Sequence, residues 1–168
     1  MSRYRPPAAP KSPYVTRPGY EALQAEQSAL WKKRREVVVH VSAAAAEGDR
    51  SENAEYIYRK KQLREIDRRI RYLQKRLPAL KVVETQSEGT DQVFFGAWVT
   101  LENENGEERR YRIVGADEFD PKRDWISVDS PIARALLKRR VDDEVSVETP
   151  AGLTRLIILD VSYQDDTA

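Results

Sequence analysis

Residues Tyr20, Leu23, Gln27, Leu30, Arg34, Val37, Val41 and Ala44 recur at alternating spacings of three and four. This is one phase of a heptad repeat, with Gln27 and Arg34 as its polar members. A second stripe with the same period runs through Tyr56, Arg59, Leu63, Ile66, Ile70, Leu73 and Leu77. Each stripe predicts a helix that cannot bury its apolar face alone. Glu47, Gly48 and Asp49 leave room only for a tight reversal, with Gly48 suited to a positive φ, so the two helices should pack antiparallel. Thr16 offers a capping hydroxyl and Pro18 a residue that needs no amide partner, which together predict a helix start. Pro78 predicts that the second helix ends or kinks near Leu77. At a rise of about 1.5 Å per residue, helices of roughly 30 residues reach about 45 Å.

From Val93 the period changes. VFFGAWVTLE and RRYRIVG are rich in β-branched and aromatic residues and flank Asn105-Gly106, the signature of a β-hairpin. DWISVD, DEVSVET and TRLIILDVSY are further strand candidates, and Ser130 with Pro131 opens a short helix through IARALLK. The fold class is therefore α+β: an N-terminal antiparallel coiled-coil hairpin, then a small C-terminal α+β domain. The expected divisions are a disordered Pro-rich tail over 1–14, the hairpin over 15–84, a linker over 85–92 and the C-terminal domain over 93–168. Phe95, Trp98 and Trp125 are read as core of the sheet domain, because aromatics on a small sheet more often pack than bind.

Composition narrows the function classes. The 168 residues are 34% charged with a formal net charge of +1, so the distribution of charge says more than its sum. There is no cysteine for a disulfide or thiolate metal site, and His40 is the lone histidine. The opening MSRYRPPAAPKSP lacks the apolar core of a signal peptide, and no stretch approaches the ~20 apolar residues of a membrane span. A soluble, cytoplasmic chain with no membrane partner is expected. The C-terminal half carries no Gly-rich phosphate loop, nucleophile elbow or His-carboxylate motif, so docking or support is its expected role.

Candidate chemistry lies on the hairpin. In GDRSENAEY, Asp49 and Glu52 are two hard oxygen donors suited to Mg²⁺, but an Asp three residues before a Glu is also a capping-box variant, and the pattern alone favours capping. Two carboxylates on an exposed turn cannot enclose an octahedral ion, so chemistry there would complete a partner's site. On the second helix Lys61, Arg64, Arg68, Arg71 and Lys75 form a basic ridge offset from the seam. Its like-charge pairs one turn apart each cost a little stability, and such a ridge suits a phosphate backbone. Tyr56, Tyr58 and Tyr72 are candidates for base stacking, with packing preferred for Tyr56 at its seam position.

GDRSENAEY, KKQLREIDRRIRYL, VFFGAWV, YRIVG, DSPIARALL and TPAG together resemble the Gre transcript-cleavage factors of bacteria, the GreB branch most of all. The resemblance covers nearly everything after the Pro-rich start, whose length is the chief departure together with Pro78. It implies a coiled coil that enters the secondary channel of RNA polymerase and an FKBP-like C-terminal domain that docks outside it. It further implies that Asp49 and Glu52 help hold a second Mg²⁺ and the attacking water in the polymerase active site, where the 3′ end of backtracked RNA is cut. On this likeness the free protein binds no cofactor stably, Mg²⁺ is shared only in the complex, and the chain is a monomer and not itself an enzyme. Ser51, Asn53 and Tyr56 match the surrounding tip motif and would orient the acids or touch the polymerase. The ridge would contact displaced RNA, and DNA of the elongation complex is a further expected contact. Two other readings stay open: a channel-binding regulator that does not promote cleavage, and a stand-alone nucleic-acid-binding module.

Overall fold

The computed structural model describes residues 7–48, 53–84 and 89–164. The chain divides into two compact units, residues 20–80 and residues 1–19 with 81–168. In the first, helix α1 (Arg17–Ala46) runs antiparallel to α2 (Ala54–Arg76). Every residue of the two heptad stripes is buried or half-buried. Val37, Ile66 and Ile70 form the buried centre, with Leu30, Val41 and Leu63 packed against it. Arg34, a polar member of the seam, is bonded by its Nε to Asp67 at 2.6 Å, and Arg69 beside the seam holds Glu26 with two bonds of 2.6 and 3.0 Å. Charged residues here fix the pairing of the helices where apolar ones are missing.

One feature of the hairpin differs from the expectation: α2 has 23 residues against 30 in α1, which ends at Ala46 while α2 opens at Ala54. Gly48, at φ 133°, does take a conformation that L side chains rarely adopt. At the other end Leu77–Ala79 is a 3₁₀ turn containing Pro78, so the second helix ends there rather than bending and continuing.

The second unit is built on a five-stranded sheet in the order β5-β4-β3-β7-β6. Its strands are β3 (Trp98–Asn103), β4 (Glu108–Val114), β5 (Trp125–Ser127), β6 (Glu144–Thr149) and β7 (Gly152–Ser162). β4 and β5 are parallel and the other neighbours antiparallel. The β3–β4 turn carries the Asn105-Gly106 pair, and Asn103 Oδ1 accepts from the N–H groups of Asn105 and Glu107. α3 (Pro131–Leu136) is capped by Ser130, which accepts from Ala133 N–H at 3.2 Å. Val99, Leu101, Ile113, Leu136 and Ile158 are buried in one cluster. The first strand starts at Trp98 and not at Val93, because Val93 N–H donates to Arg139 O and the 94–97 segment turns back on itself.

The expected boundaries also move. Of the tail assigned to 1–14, the described part from Lys11 onward is tied to the C-terminal unit. Short strand β1 (Tyr14–Val15) pairs parallel with β2 (Lys81–Val82). Ser12 N–H donates to Asp129 Oδ2 at 2.8 Å, and its hydroxyl donates to the other carboxylate oxygen. Glu118 Oε2 accepts from Thr16 N–H at 3.0 Å and Gly115 N–H at 2.8 Å, while Thr16 Oγ1 donates to Oε1 and accepts from Gly19 N–H at 3.1 Å. Thr16 is thus the helix cap the sequence predicts, itself held from below. A Cβ on Gly115 would lie 2.2 Å from Tyr14 O, so the close approach of these segments requires glycine there. Of the linker expected over 85–92, Asp91 is ion-paired with Arg140 at 2.6 Å and Gln92 bridges to Arg140, which makes both part of the domain.

The tryptophans correct another expectation. Phe95 packs against the core, but Trp98 and Trp125 are half-buried and stand among arginines. Arg110 lies 4.5 Å from the Trp98 ring centroid, Arg112 lies 6.0 Å from Trp98 and 5.2 Å from Trp125, and Arg123 lies 5.0 Å from Trp125. Register explains this alternation, since Trp98 is opposite Arg112 and Arg112 is opposite Trp125. Side chains directly opposite share a sheet face, here the face other than the one carrying Val99, Leu101 and Ile113.

Candidate nucleic-acid interface on the hairpin

Asn53 closes the hairpin. Its Oδ1 accepts from Tyr56 N–H at 3.0 Å and caps α2, while its Nδ2 donates to Ala44 O at 2.8 Å in the last turn of α1. One side chain thereby satisfies a free donor at the start of one helix and adds a second bond to Ala44 O of the other, which also accepts from Glu47 N–H at 3.3 Å. The sequence places Asn53 in the tip motif, but only the fold pairs it with Ala44. The N-cap of α2 is Asn53. Asp49, Ser51 and Glu52 lie outside the described residues. Tyr56 is half-buried, with its hydroxyl 3.2 Å from Lys60 Nζ, in keeping with a packing role.

Lys61, Arg64, Arg68, Arg71 and Lys75 are all exposed, and none has an ion pair among the described residues. Arginines nearer the seam behave differently: Arg34 pairs with Asp67, Arg59 with Glu55 and Arg69 with Glu26. The arginines that face the seam are thus neutralised, whereas the five cations of the ridge have no ion pair among the described residues. Repulsion along such a row is relieved by an anion, and a phosphodiester chain supplies one charge per residue. Of the three tyrosines weighed for stacking, Tyr58 is 60% exposed, whereas Tyr56 and Tyr72 are half-buried.

In the C-terminal unit a cavity of about 170 Å³ is lined by Leu101, Tyr111, Ile132, Val147 and Leu156 together with Glu107 and Arg109. Burial pushes the Tyr163 phenol up, and the Phe94 N–H that donates to it at 2.9 Å partly offsets this. Its hydroxyl donates to Gln92 O at 2.5 Å, so it braces the entry to the domain. Among the described residues no group of three or more His, Cys, Asp or Glu is placed to hold a metal ion, and no helix is long and apolar enough to cross a membrane.

Comparison with known proteins covers almost the whole chain. Residues 13–82 match the family described as transcription elongation factor, N-terminal, and residues 87–163 match transcription elongation factor, GreA/GreB, C-term. The protein of Pasteurella multocida called transcription elongation factor GreB is 59% identical over 155 residues, which cover 92% of this chain and 98% of that one. Its namesake from Xanthomonas axonopodis pv. citri is also 59% identical, over 97% of this chain and 98% of its own. Among solved structures, GreA factor homolog 1 of Thermus thermophilus aligns over 89% of this chain and 97% of its own, at 24% identity and a TM-score of 0.40.

Proposed function

Because the chain belongs to the GreA/GreB family of transcription elongation factors, we propose that its hairpin enters the secondary channel of RNA polymerase and stimulates the polymerase's own cleavage of backtracked RNA. The observation that carries this reading is the division of labour on α2. Asn53 draws the ends of the two helices together at the point in the chain where Asp49 and Glu52 stand, and a row of five exposed cations with no ion pair among the described residues runs along α2. An arm built this way can present carboxylates at its end and hold an extruded strand along its side.

In this mechanism the factor is not itself an enzyme. Asp49 and Glu52 are the residues that would share Mg²⁺ with the polymerase. Two hard carboxylate oxygens suit that ion, and a pair of donors is too few to enclose it, so the remaining ligands belong to the partner. The metal supplies activation of water and stabilisation of charge at the phosphodiester. The chain's own part is to deliver the carboxylates, with Asn53 fixing the ends of the helices and Ser51 and Tyr56 supporting the tip. Lys61, Arg64, Arg68, Arg71 and Lys75 neutralise the phosphates of displaced RNA. The C-terminal unit docks the factor on the polymerase.

The test is transcript cleavage in stalled complexes. Asp49→Asn with Glu52→Gln is expected to abolish stimulated cleavage while polymerase binding persists. Unchanged cleavage with this double variant overturns the reading.

A further inference from the structure

On the sheet face opposite the core, cross-strand register places Ser162, Trp98, Arg112 and Trp125 in one row over β7, β3, β4 and β5. Arg110 lies over the Trp98 ring at 4.5 Å and Arg123 over the Trp125 ring at 5.0 Å. A guanidinium laid on an indole keeps its N–H groups at its own edge, where they can fork onto a carboxylate. It also covers the ring, so the face suits carboxylates better than stacked bases. Of the described acids, Asp120 is 3.6 Å from Arg123, and Asp160, opposite Thr100 on β7, makes no ion pair among the described residues. The row begins where β7 ends. Tyr163 packs against the core and its hydroxyl holds Gln92 O, while Gln164 N–H donates to Ser162 Oγ at 3.3 Å and bends the chain. Asp165 and Asp166 come next, outside the described residues and beyond the family match, which ends at residue 163.

We propose that Asp165 and Asp166 cross this face as an acidic strap, pairing with Arg112 and Arg110 and covering the Trp98 ring. Reach, charge and direction select this occupant. Three residues of extended chain beyond Ser162 span up to about 10 Å. Ser162 and Arg112 are separated by two strand spacings, also about 10 Å, so Asp165 stands within reach of the guanidinium. Two carboxylates meet a face of three guanidiniums on which Asp120 is the acid already paired. Asp160, on the strand from which the tail leaves, repels carboxylates that turn back along β7 and favours the path over β3 and β4. The strap makes the chain its own first ligand here. An acidic segment of another protein reaches these arginines only by displacing it.

The experiment uses the full chain carrying Trp31→Phe, which leaves Trp98 and Trp125 as the reporting indoles. Asp165→Asn with Asp166→Asn is expected to raise the acrylamide quenching constant about two-fold and to lower the thermal midpoint by about 3 °C. At about 1 M sodium chloride the unsubstituted tail should be quenched as the variant is, because exposed ion pairs are screened. In an Arg110→Gln background the same tail substitutions should lose most of their effect, a coupling that a tail acting elsewhere does not show. The strap is overturned if the asparagine pair leaves quenching unchanged, or if it lowers the midpoint equally with and without Arg110. Quenching that varies with protein concentration overturns it too, by placing the tail on a second copy. RNA cleavage does not enter the measurement, so the result is independent of the roles of Asp49 and Glu52.

Discussion

Arginine is used in opposite ways by the two units. In the C-terminal sheet Arg112 is only 6% exposed and lies opposite both Trp98 and Trp125, with Arg110 4.5 Å from the first ring and Arg123 5.0 Å from the second. On α2, Arg64, Arg68 and Arg71 are exposed and make no ion pair or ring contact among the described residues. The sheet arginines bury their stems and guanidinium faces as part of the packing. Those of the ridge add like-charge repulsion to a helix that has only a narrow apolar seam. Similar side chains therefore serve stability in one unit and availability in the other, and only the second arrangement is explained by a ligand.

The contrast can be broken or sharpened by substitution. The largest effect is expected in the core on the other face of the sheet: Ile158→Ala should cost about 3–4 kcal/mol, read as a lower denaturant midpoint in tryptophan fluorescence. Arg112→Ala should cost about 2 kcal/mol through lost stacking and packing, and Arg112→Met should recover part of that by refilling the space. If Arg112→Ala is neutral, the alternation of indole and guanidinium contributes nothing to the sheet and the comparison fails on that side. Asn53→Ala should cost the hairpin about 1 kcal/mol, seen as earlier loss of helical circular dichroism, because it removes the cap and its bond to Ala44 together. Asn53→Asp keeps the capping acceptor and loses the donor, so it should fall between wild type and alanine. The smallest change is expected on the ridge: Arg64→Gln with Arg68→Gln should alter hairpin stability by less than about 0.5 kcal/mol, if anything raising it. The same pair should lower the salt slope of RNA binding by about 1.4, counted as two phosphates on a single strand.

Much of the fold was legible before any coordinates. A heptad specifies which side of a helix is buried, and all fifteen positions read from the two stripes are buried or half-buried. Strand β6 and the capped helix at Ser130-Pro131 likewise appear where alternation and capping chemistry place them. The hairpin turn at Asn105-Gly106 follows from a two-residue signal. Of the candidate site, the basic ridge was legible because an offset of one or two positions from the seam is enough to put a side chain in solvent. The capping role of Asn53 was not, since its bond to Ala44 O depends on the packing of one helix end against the other.

What the sequence by itself determined is therefore periodic and local: the seam, the ridge, the alternating strands and the caps, each set by spacings of a few residues. Tertiary structure alone decided the rest. Thr16 is held by Glu118, Ser12 by Asp129, Asn53 by Ala44, and Trp98 by arginines across two strands. These contacts depend on which distant segments chain topology brings within hydrogen-bond or van der Waals reach, and no local period encodes that distance.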